Sequence, residues 1–133
     1  MGLRWYSTVL DCRDVVAQGR WWAETLGWQV VHASDDEVVL VPAHVTPELV
    51  RDTPWEQVGP GLVLVPVAEG KQVKNRLHLD LAPHTSDDRD ALVAGLVARG
   101  ATLAQVGQPV DAPWTVLLDP EGNEFCVLSS RER

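Results

Sequence analysis

Two short stretches of the chain set chemistry-bearing side chains two residues apart. From Arg76 to Leu81 polar and apolar residues alternate strictly, with Arg76, His78 and Asp80 on one side and Leu77, Leu79 and Leu81 on the other. That period of two marks a half-buried strand. Glu124 and Cys126 stand in the same relation within a second stretch, Glu124 to Leu128. His78 is the acid/base candidate, because an imidazole changes protonation near neutral pH and a nearby carboxylate, Asp80 or Glu124, would fix its tautomer. The candidate catalytic set is therefore His78, Asp80 and Glu124. The same side chains also suit a hydrogen-bonded network with Arg76 that holds the polar face of the strand together. Cys126 is a nucleophile if a neighbouring cation lowers its pKa, and otherwise an inert buried thiol. Lys71, Lys74 and Arg76 include both lysines of the chain. Such a cluster suits a ligand's carboxylate or phosphate, or else a solvated linker.

The rest of the composition narrows the setting. The 133 residues fit one ordinary domain, and 45% hydrophobic content argues against disorder. A formal charge of −8 repels phosphate backbones, so no nucleic-acid partner is expected. No apolar run approaches the roughly 20 residues of a membrane span, and the N-terminus lacks the apolar core of a signal peptide. A cytoplasmic protein is the expectation. Cys12 and Cys126 have opposite facing in this reading, so no disulfide is expected between them.

These residues need elements to position them, and the chain supplies the same order twice. Leu3 to Cys12 suits a strand, with Thr8, Leu10 and Cys12 facing a helix and Trp5 and Ser7 facing away. Asp14 is placed to cap a helix running to about Leu26, with Gly27 as its stop. Val15, Trp22 and Leu26 make its apolar stripe, Gly19 on the same stripe allows close approach, and Trp22 rather than Trp21 faces the core. Trp28 to His32 and Glu37 to Val41 form a hairpin across Ser34-Asp35-Asp36. The segment Pro42 to Pro60 carries four prolines and one short helix, capped by Thr46 with Pro47 at its first position. On it Trp55 is either a lid over a ligand or the pin of a surface loop. Leu62 to Val67 closes the first module, about residues 3–67.

The second module, about 74–129, repeats the pattern. Arg76 to Leu81 precedes a helix capped by Thr85 or Ser86, with Asp87, Asp88 and Asp90 in its first turn. Leu92, Val93, Leu96 and Val97 form its buried stripe, and Arg99-Gly100 ends it. Thr102 to Val106, Trp114 to Leu118 and Glu124 to Leu128 read as strands, the last after an Asp119-Pro120-Glu121-Gly122 turn. Leu10-Asp11 answers to Leu79-Asp80 at an offset of about 70 residues. The order is β-α-β-β-β in both halves.

That duplication, with Asn75-Arg76-Leu77-His78-Leu79-Asp80-Leu81 and Asp119-Pro120-Glu121-Gly122-Asn123-Glu124-Phe125-Cys126, resembles the vicinal oxygen chelate superfamily, and within it the glyoxalase-like branch. The resemblance spans Trp5 to Leu128. It implies an α+β fold in which two β-α-β-β-β modules curl a mixed sheet into a cup that holds a small molecule. The superfamily includes glyoxalase I, extradiol dioxygenases, metal-dependent thiol transferases and metal-free proteins that sequester antibiotics such as bleomycin. Metal-using members carry four ligands on the first and last strands of the modules, and those places fall here on Ser7, about Leu64, Arg76 and Cys126. Leucine cannot coordinate and arginine repels a cation, so the usual chelate site is not expected, and no cofactor with it.

The resemblance thus implies a cup that binds an organic ligand, with sequestration or metal-independent acid/base chemistry as its work. Trp5, Ser7, Trp55, Leu64, Arg76 and Cys126 are its expected ligand-binding residues. Two alternatives stand beside this. His78, Asp80, Glu124 and Cys126, all of one parity, would form a rearranged metal site of a lyase or dioxygenase if they project into one cup. Or the domain is a non-catalytic interaction module, and homodimerisation is left open.

Overall fold

Strand and helix limits follow local chemistry in the computed structural model, which describes residues 2–133. The chain forms two compact units, residues 1–70 and 71–133. In the first, β1 (Ser7–Cys12) leads to α1 (Val15–Leu26), then β2 (Trp28–Ala33) and β3 (Val38–Pro42). Next come α2 (Pro47–Asp52), a 3-10 turn at Trp55–Gln57 and β4 (Gly61–Pro66). The sheet order is β1-β4-β3-β2, with β1 and β4 parallel and the other pairs antiparallel.

Asp14 caps α1 through the Ala17 N–H at 3.0 Å, and Gly27 ends it at φ 65, where a side chain would be strained. Ser34 closes the β2–β3 hairpin by accepting the Asp36 and Glu37 N–H groups on its hydroxyl. Thr46 caps α2 through the Leu49 N–H at 3.0 Å. These local signals act as their sequence suggests. β1 starts at Ser7 rather than Leu3 because its partner β4 begins at Gly61, level with Ser7.

The core of this unit joins Val15 and Trp22 of α1 to Val38, Leu40, Leu62 and Leu64 of the sheet. Trp21 is buried as well as Trp22, against expectation. Gln18, one turn before Trp21, is also buried, so the covered face of α1 is wider than one stripe, and the rings pack edge to face with centroids 5.1 Å apart. Leu64 needs a second correction. It pairs with Leu10 and Val38, and Val38 is the residue that meets Gly19 of α1, so Leu64 lies on the helix side of the sheet, fully buried. A ligand contact there is excluded by register.

The second unit repeats the order with shorter strands: β5 (Asp80–Leu81), α3 (Arg89–Ala98), β6 (Thr102–Leu103), β7 (Thr115–Leu118) and β8 (Glu124–Val127). Its sheet order is β5-β8-β7-β6, again with the first and last strands parallel. The fold class is α+β, with the same topology in each unit. Only the end of the Arg76–Leu81 stretch enters the sheet, and Leu77 is 73% exposed rather than core. Glu124 would stand level with His78 in the ladder, but its side chain takes the Asn75 N–H instead. β6 stops early because the Gln108 side chain takes over backbone groups, accepting from Val106 N and donating to the Ala104 carbonyl, both at 2.8 Å.

The cap of α3 is Asp88, which accepts the Ala91 N–H at 3.1 Å, not Thr85 or Ser86. Those two belong to a preceding turn in which His84 Nδ1 accepts the Ser86 N–H and the His84 carbonyl accepts the Asp87 N–H. Of the expected stripe only Leu96 is buried, Val93 is half-buried, and Leu92 and Val97 are exposed. Both cysteines are buried, and neither is in a disulfide among the described residues. Among the described residues no helix is long and apolar enough to cross a membrane.

Gly19 offers a direct check of the α1–β3 packing. A Cβ there would sit 2.7 Å from Val38 Cγ1, and Val38 is both stiff and buried. Gly19→Ala is expected to destabilise by about 1–2 kcal/mol, the overpacking cost exceeding the helix-propensity gain of up to about 1 kcal/mol. Chemical denaturation measures it, and a stabilised variant would mean that the helix stands further from the sheet.

Candidate functional site

The site forms in the second unit, and the Asp119–Asn123 turn sets it up. Asp119 Oδ1 accepts the Glu121 and Asn123 N–H groups at 2.9 and 3.0 Å, and the Asn123 side-chain amide donates to Oδ2 at 3.1 Å. Asp119 N–H in turn bonds the Asn123 carbonyl, and Gly122 takes the φ of 91 that the turn requires. The motif is thus a carboxylate-centred clamp that delivers Glu124 to the start of β8.

Glu124 is 8% exposed and fully engaged. Lys71 Nζ donates to Oε1 and the Asn75 N–H to Oε2, both at 2.9 Å. Asn75 also donates its side-chain amide to Asn123 Oδ1 at 3.3 Å. Burial alone would raise the Glu124 pKa, but the Asn75 N–H and Lys71 outweigh it and hold the group below its ordinary value. Glu124 is therefore an ionised anchor, and Lys71 is its counter-ion rather than a free hold for a ligand's anion. The expected acid/base role of Glu124 gives way to a positioning one.

Downstream of that anchor β8 alternates. All four β8 residues are buried, and those of one parity, Glu124 and Cys126, border with Leu128 a cavity of about 410 Å³. β5 lies beside β8 with Asp80 level with Cys126, and the Cys126 and Leu128 N–H groups bond the Leu79 and Leu81 carbonyls at 3.0 and 2.7 Å. Register therefore brings Asp80 to the same side as Cys126, and His78, two residues earlier, follows. His78 Nδ1 stands 3.2 Å from Asp80 Oδ1. One donor atom each from His78, Asp80 and Cys126 lies within 4.8 Å of the other two. Trp114 and Val116 on the β7 side, with Val106, Gln108 and Lys74, complete the lining.

The Cys126 thiol is pushed up by burial first, then by the charge of Asp80 and a hydrogen bond to it, with Lys74 opposing more weakly. As the site stands it holds a thiol and not a thiolate, which argues against nucleophilic use. The His78–Asp80 contact joins side chains 41% and 47% exposed. Pairs so exposed add less than about 1 kcal/mol, so the contact does little to hold the strand.

Of the residues expected from sequence, the structure brings together His78, Asp80, Cys126 and Glu124 on the cavity wall. Arg76 is exposed and does not line it. Trp5, Ser7, Trp55 and Leu64 belong to the first unit. There the Arg4 guanidinium stacks 4.6 Å from the Tyr6 ring centre and 4.4 Å from that of Trp55, a double cation–π contact that pins the Trp55 loop. Trp5 Nε1 donates to the Ser7 carbonyl at 3.2 Å. Trp114, Gln108 and Val106 were missed as lining. Trp114 shares the parity of Val116 next to β8, which was legible once the strand order was known. Of the four places expected for the superfamily's metal ligands, Leu64 lies on the helix side of its sheet and Arg76 lies outside the strands, so the expected register does not hold at either.

The Glu124 anchor has a pH signature. Its carboxyl is held below the ordinary value of 4.5, so its contribution is complete above that pH and fades as acid titrates the folded form. Glu124→Gln is expected to cost about 1–2 kcal/mol at neutral pH. Denaturant melts should show that difference shrinking well below pH about 4; a difference constant with pH would disprove the ionised anchor.

The comparisons with known proteins accord with this geometry. A family model described as glyoxalase-like domain matches residues 7–128. No curated protein matches the sequence. Among solved structures, a glyoxalase/bleomycin resistance protein/dioxygenase family enzyme from Burkholderia phytofirmans PsJN aligns at TM-score 0.68 and 20% identity, covering 97% of this chain and 100% of that one. A glyoxalase-related enzyme from Fulvimarina pelagi aligns at 0.64 and 18%, covering 94% and 86%. A mutant of the fosfomycin resistance protein FosX from Listeria monocytogenes, complexed with Mn(II) and dihydroxypropylphosphonic acid, aligns at 0.67 and 10%, covering 98% and 92%. At these identities the structures speak for the fold, and the family model for descent: the chain belongs to the family of glyoxalase-like domains.

Proposed function

We propose that the chain binds a small organic molecule in the cavity of residues 71–133 without the four-ligand chelate of metal-using superfamily members. The observation that carries this reading is the cavity itself, about 410 Å³, with Trp114, Val116 and Leu128 as apolar wall and His78, Asp80, Gln108 and Lys74 as polar groups. Ligand pockets have this size and this mixture of apolar wall and few polar groups. A flat apolar or aromatic body would lie on Trp114, and a carboxylate or hydroxyl would meet His78 and Lys74. The exposed His78–Asp80 pair adds little stability, which leaves recognition or proton exchange as its use. Solved relatives named for fosfomycin resistance and as an oxidase support small-molecule work in general, and no particular substrate.

A thermal-shift screen of the metal-free chain against aromatic and heteroaromatic carboxylic acids tests the reading. A compound at about a hundred times its dissociation constant adds roughly 2.7 kcal/mol to stability, a shift easily seen. Trp114→Ala should weaken a hit by about tenfold or more and Trp114→Phe should restore most of it. Hits that ignore Trp114→Ala, or a screen with no hits at all, would sink the proposal.

A further inference from the structure

The polar groups of the second-unit cavity divide into engaged and open ones. Glu124 is held by Lys71 and Asn75, and Gln108 accepts the Val106 N–H while donating its amide to the Ala104 carbonyl. Asp80 is shared by two neighbours, His78 Nδ1 at 3.2 Å and the Cys126 thiol. A carboxylate only accepts, so the neutral imidazole carries its hydrogen on Nδ1 and its lone pair on Nε2. That Nε2 has no hydrogen-bond partner among the described residues, and its ring borders the cavity. Lys74 Nζ hydrogen-bonds only the Asn75 carbonyl, at 3.4 Å, and borders the same cavity. An oriented base and a cation thus stand open beside Trp114.

Resting on the reading that this cavity takes an organic molecule, we propose that His78, positioned by Asp80, is the general base of an ester or lactone hydrolase, with Lys74 facing the carbonyl oxygen. The oxygen of a water molecule bonds to the carbonyl carbon while one of its protons passes to His78 Nε2. The carbonyl π pair moves onto its own oxygen, where the Lys74 ammonium offsets the new charge. When the tetrahedral intermediate collapses, the C–O bond to the leaving group breaks, and Nε2–H returns its proton to the departing alkoxide. Acid, alcohol and neutral imidazole result, with no change of oxidation state. Asp80 touches no reacting atom; it holds the tautomer and stabilises the transient imidazolium. Two observations favour this chemistry over others that an imidazole performs. The His78 and Asp80 side chains are 41% and 47% exposed, so water reaches Nε2. A carbanion formed at so open a site would be quenched by that same water. The Cys126 thiol is buried and hydrogen-bonded to Asp80, so water rather than sulfur is the attacking group. Trp114 favours an aromatic group on the acid or alcohol side, and an aromatic acid product is of the class that the cavity is proposed to bind.

Hydrolysis of phenyl acetate, p-nitrophenyl benzoate and dihydrocoumarin by the full-length chain is the test, with free imidazole at equal concentration as reference. Expected is turnover well above the reference, and slower in deuterium oxide because a proton moves as the water attacks. His78→Ala, exposed and outside the sheet, should lower kcat about a hundredfold or more. Asp80→Asn should lower kcat about tenfold with KM unchanged, because the tautomer is lost and the substrate contacts are not. His32→Ala, at an exposed position in the first unit, should change neither. Turnover no faster than that of free imidazole would overturn the hydrolase. So would a rate unaltered in deuterium oxide, which means direct attack by the imidazole, or a His78→Ala rate equal to the parent's. Aromatic acids that bind in the thermal-shift screen while every ester stays intact would remove the hydrolase and leave the cavity reading standing, so the two fail by different measurements.

Discussion

A buried carboxylate must be compensated or it will not stay charged, and Glu124 meets that condition in a way that shapes everything around it. Its two oxygens are satisfied by Lys71 and by the Asn75 backbone, both from the segment that leads into β5. The charge thus ties the approach of one strand to the start of its neighbour. Once Asn75 is held at Glu124, the chain has a short run to Leu79, whose carbonyl accepts the Cys126 N–H. Register between β5 and β8 follows from this geometry, and a slip by one residue would turn Asp80 away from Cys126. The Asp119 clamp performs the matching task on the other side by presenting Glu124 at the mouth of β8. Both motifs decide where the cavity's polar groups stand.

The same constraint explains why sequence periodicity was a partial guide. The repeated β-α-β-β-β order was readable because each half carries its own stop signals: Asp14 and Gly27, the Ser34 turn, Arg99-Gly100, and the Asp119–Gly122 turn. These act over a few residues and need no tertiary context. What escaped was set by longer-range competition. Asp88 displaced Thr85 and Ser86 as cap because His84 had already engaged Ser86 in a turn. The polar side of Arg76–Leu81 was assigned correctly for His78 and Asp80, but the strand itself shrank to two residues because Glu124 bonds Asn75 with its side chain. Glu124 looked like a catalytic carboxylate because nothing local announces that Lys71, 53 positions away, will neutralise it. Trp21 was counted out by the assumption of a single stripe, and burial of Gln18 beside it shows how a polar residue can widen a helix's covered face.

The two units share a topology, so the placement of chemistry in one of them can be traced to side chains alone. In the second unit the first and last strands bring Asp80 level with Cys126, and His78 two residues before. In the first unit the corresponding strands bring Asp11 level with Val65, with Val9 two residues before. The backbone offers three neighbouring points both times. One set is imidazole, carboxylate and thiol; the other is a lone carboxylate between two valines. The shared backbone thus carries different side chains in the two copies, and two donor positions of one are valines in the other. The difference also bears on cost. A thiol, an imidazole and a carboxylate crowded at one wall gain almost nothing for stability from one another, whereas valine at the equivalent places is the cheaper solution for a half-buried strand surface.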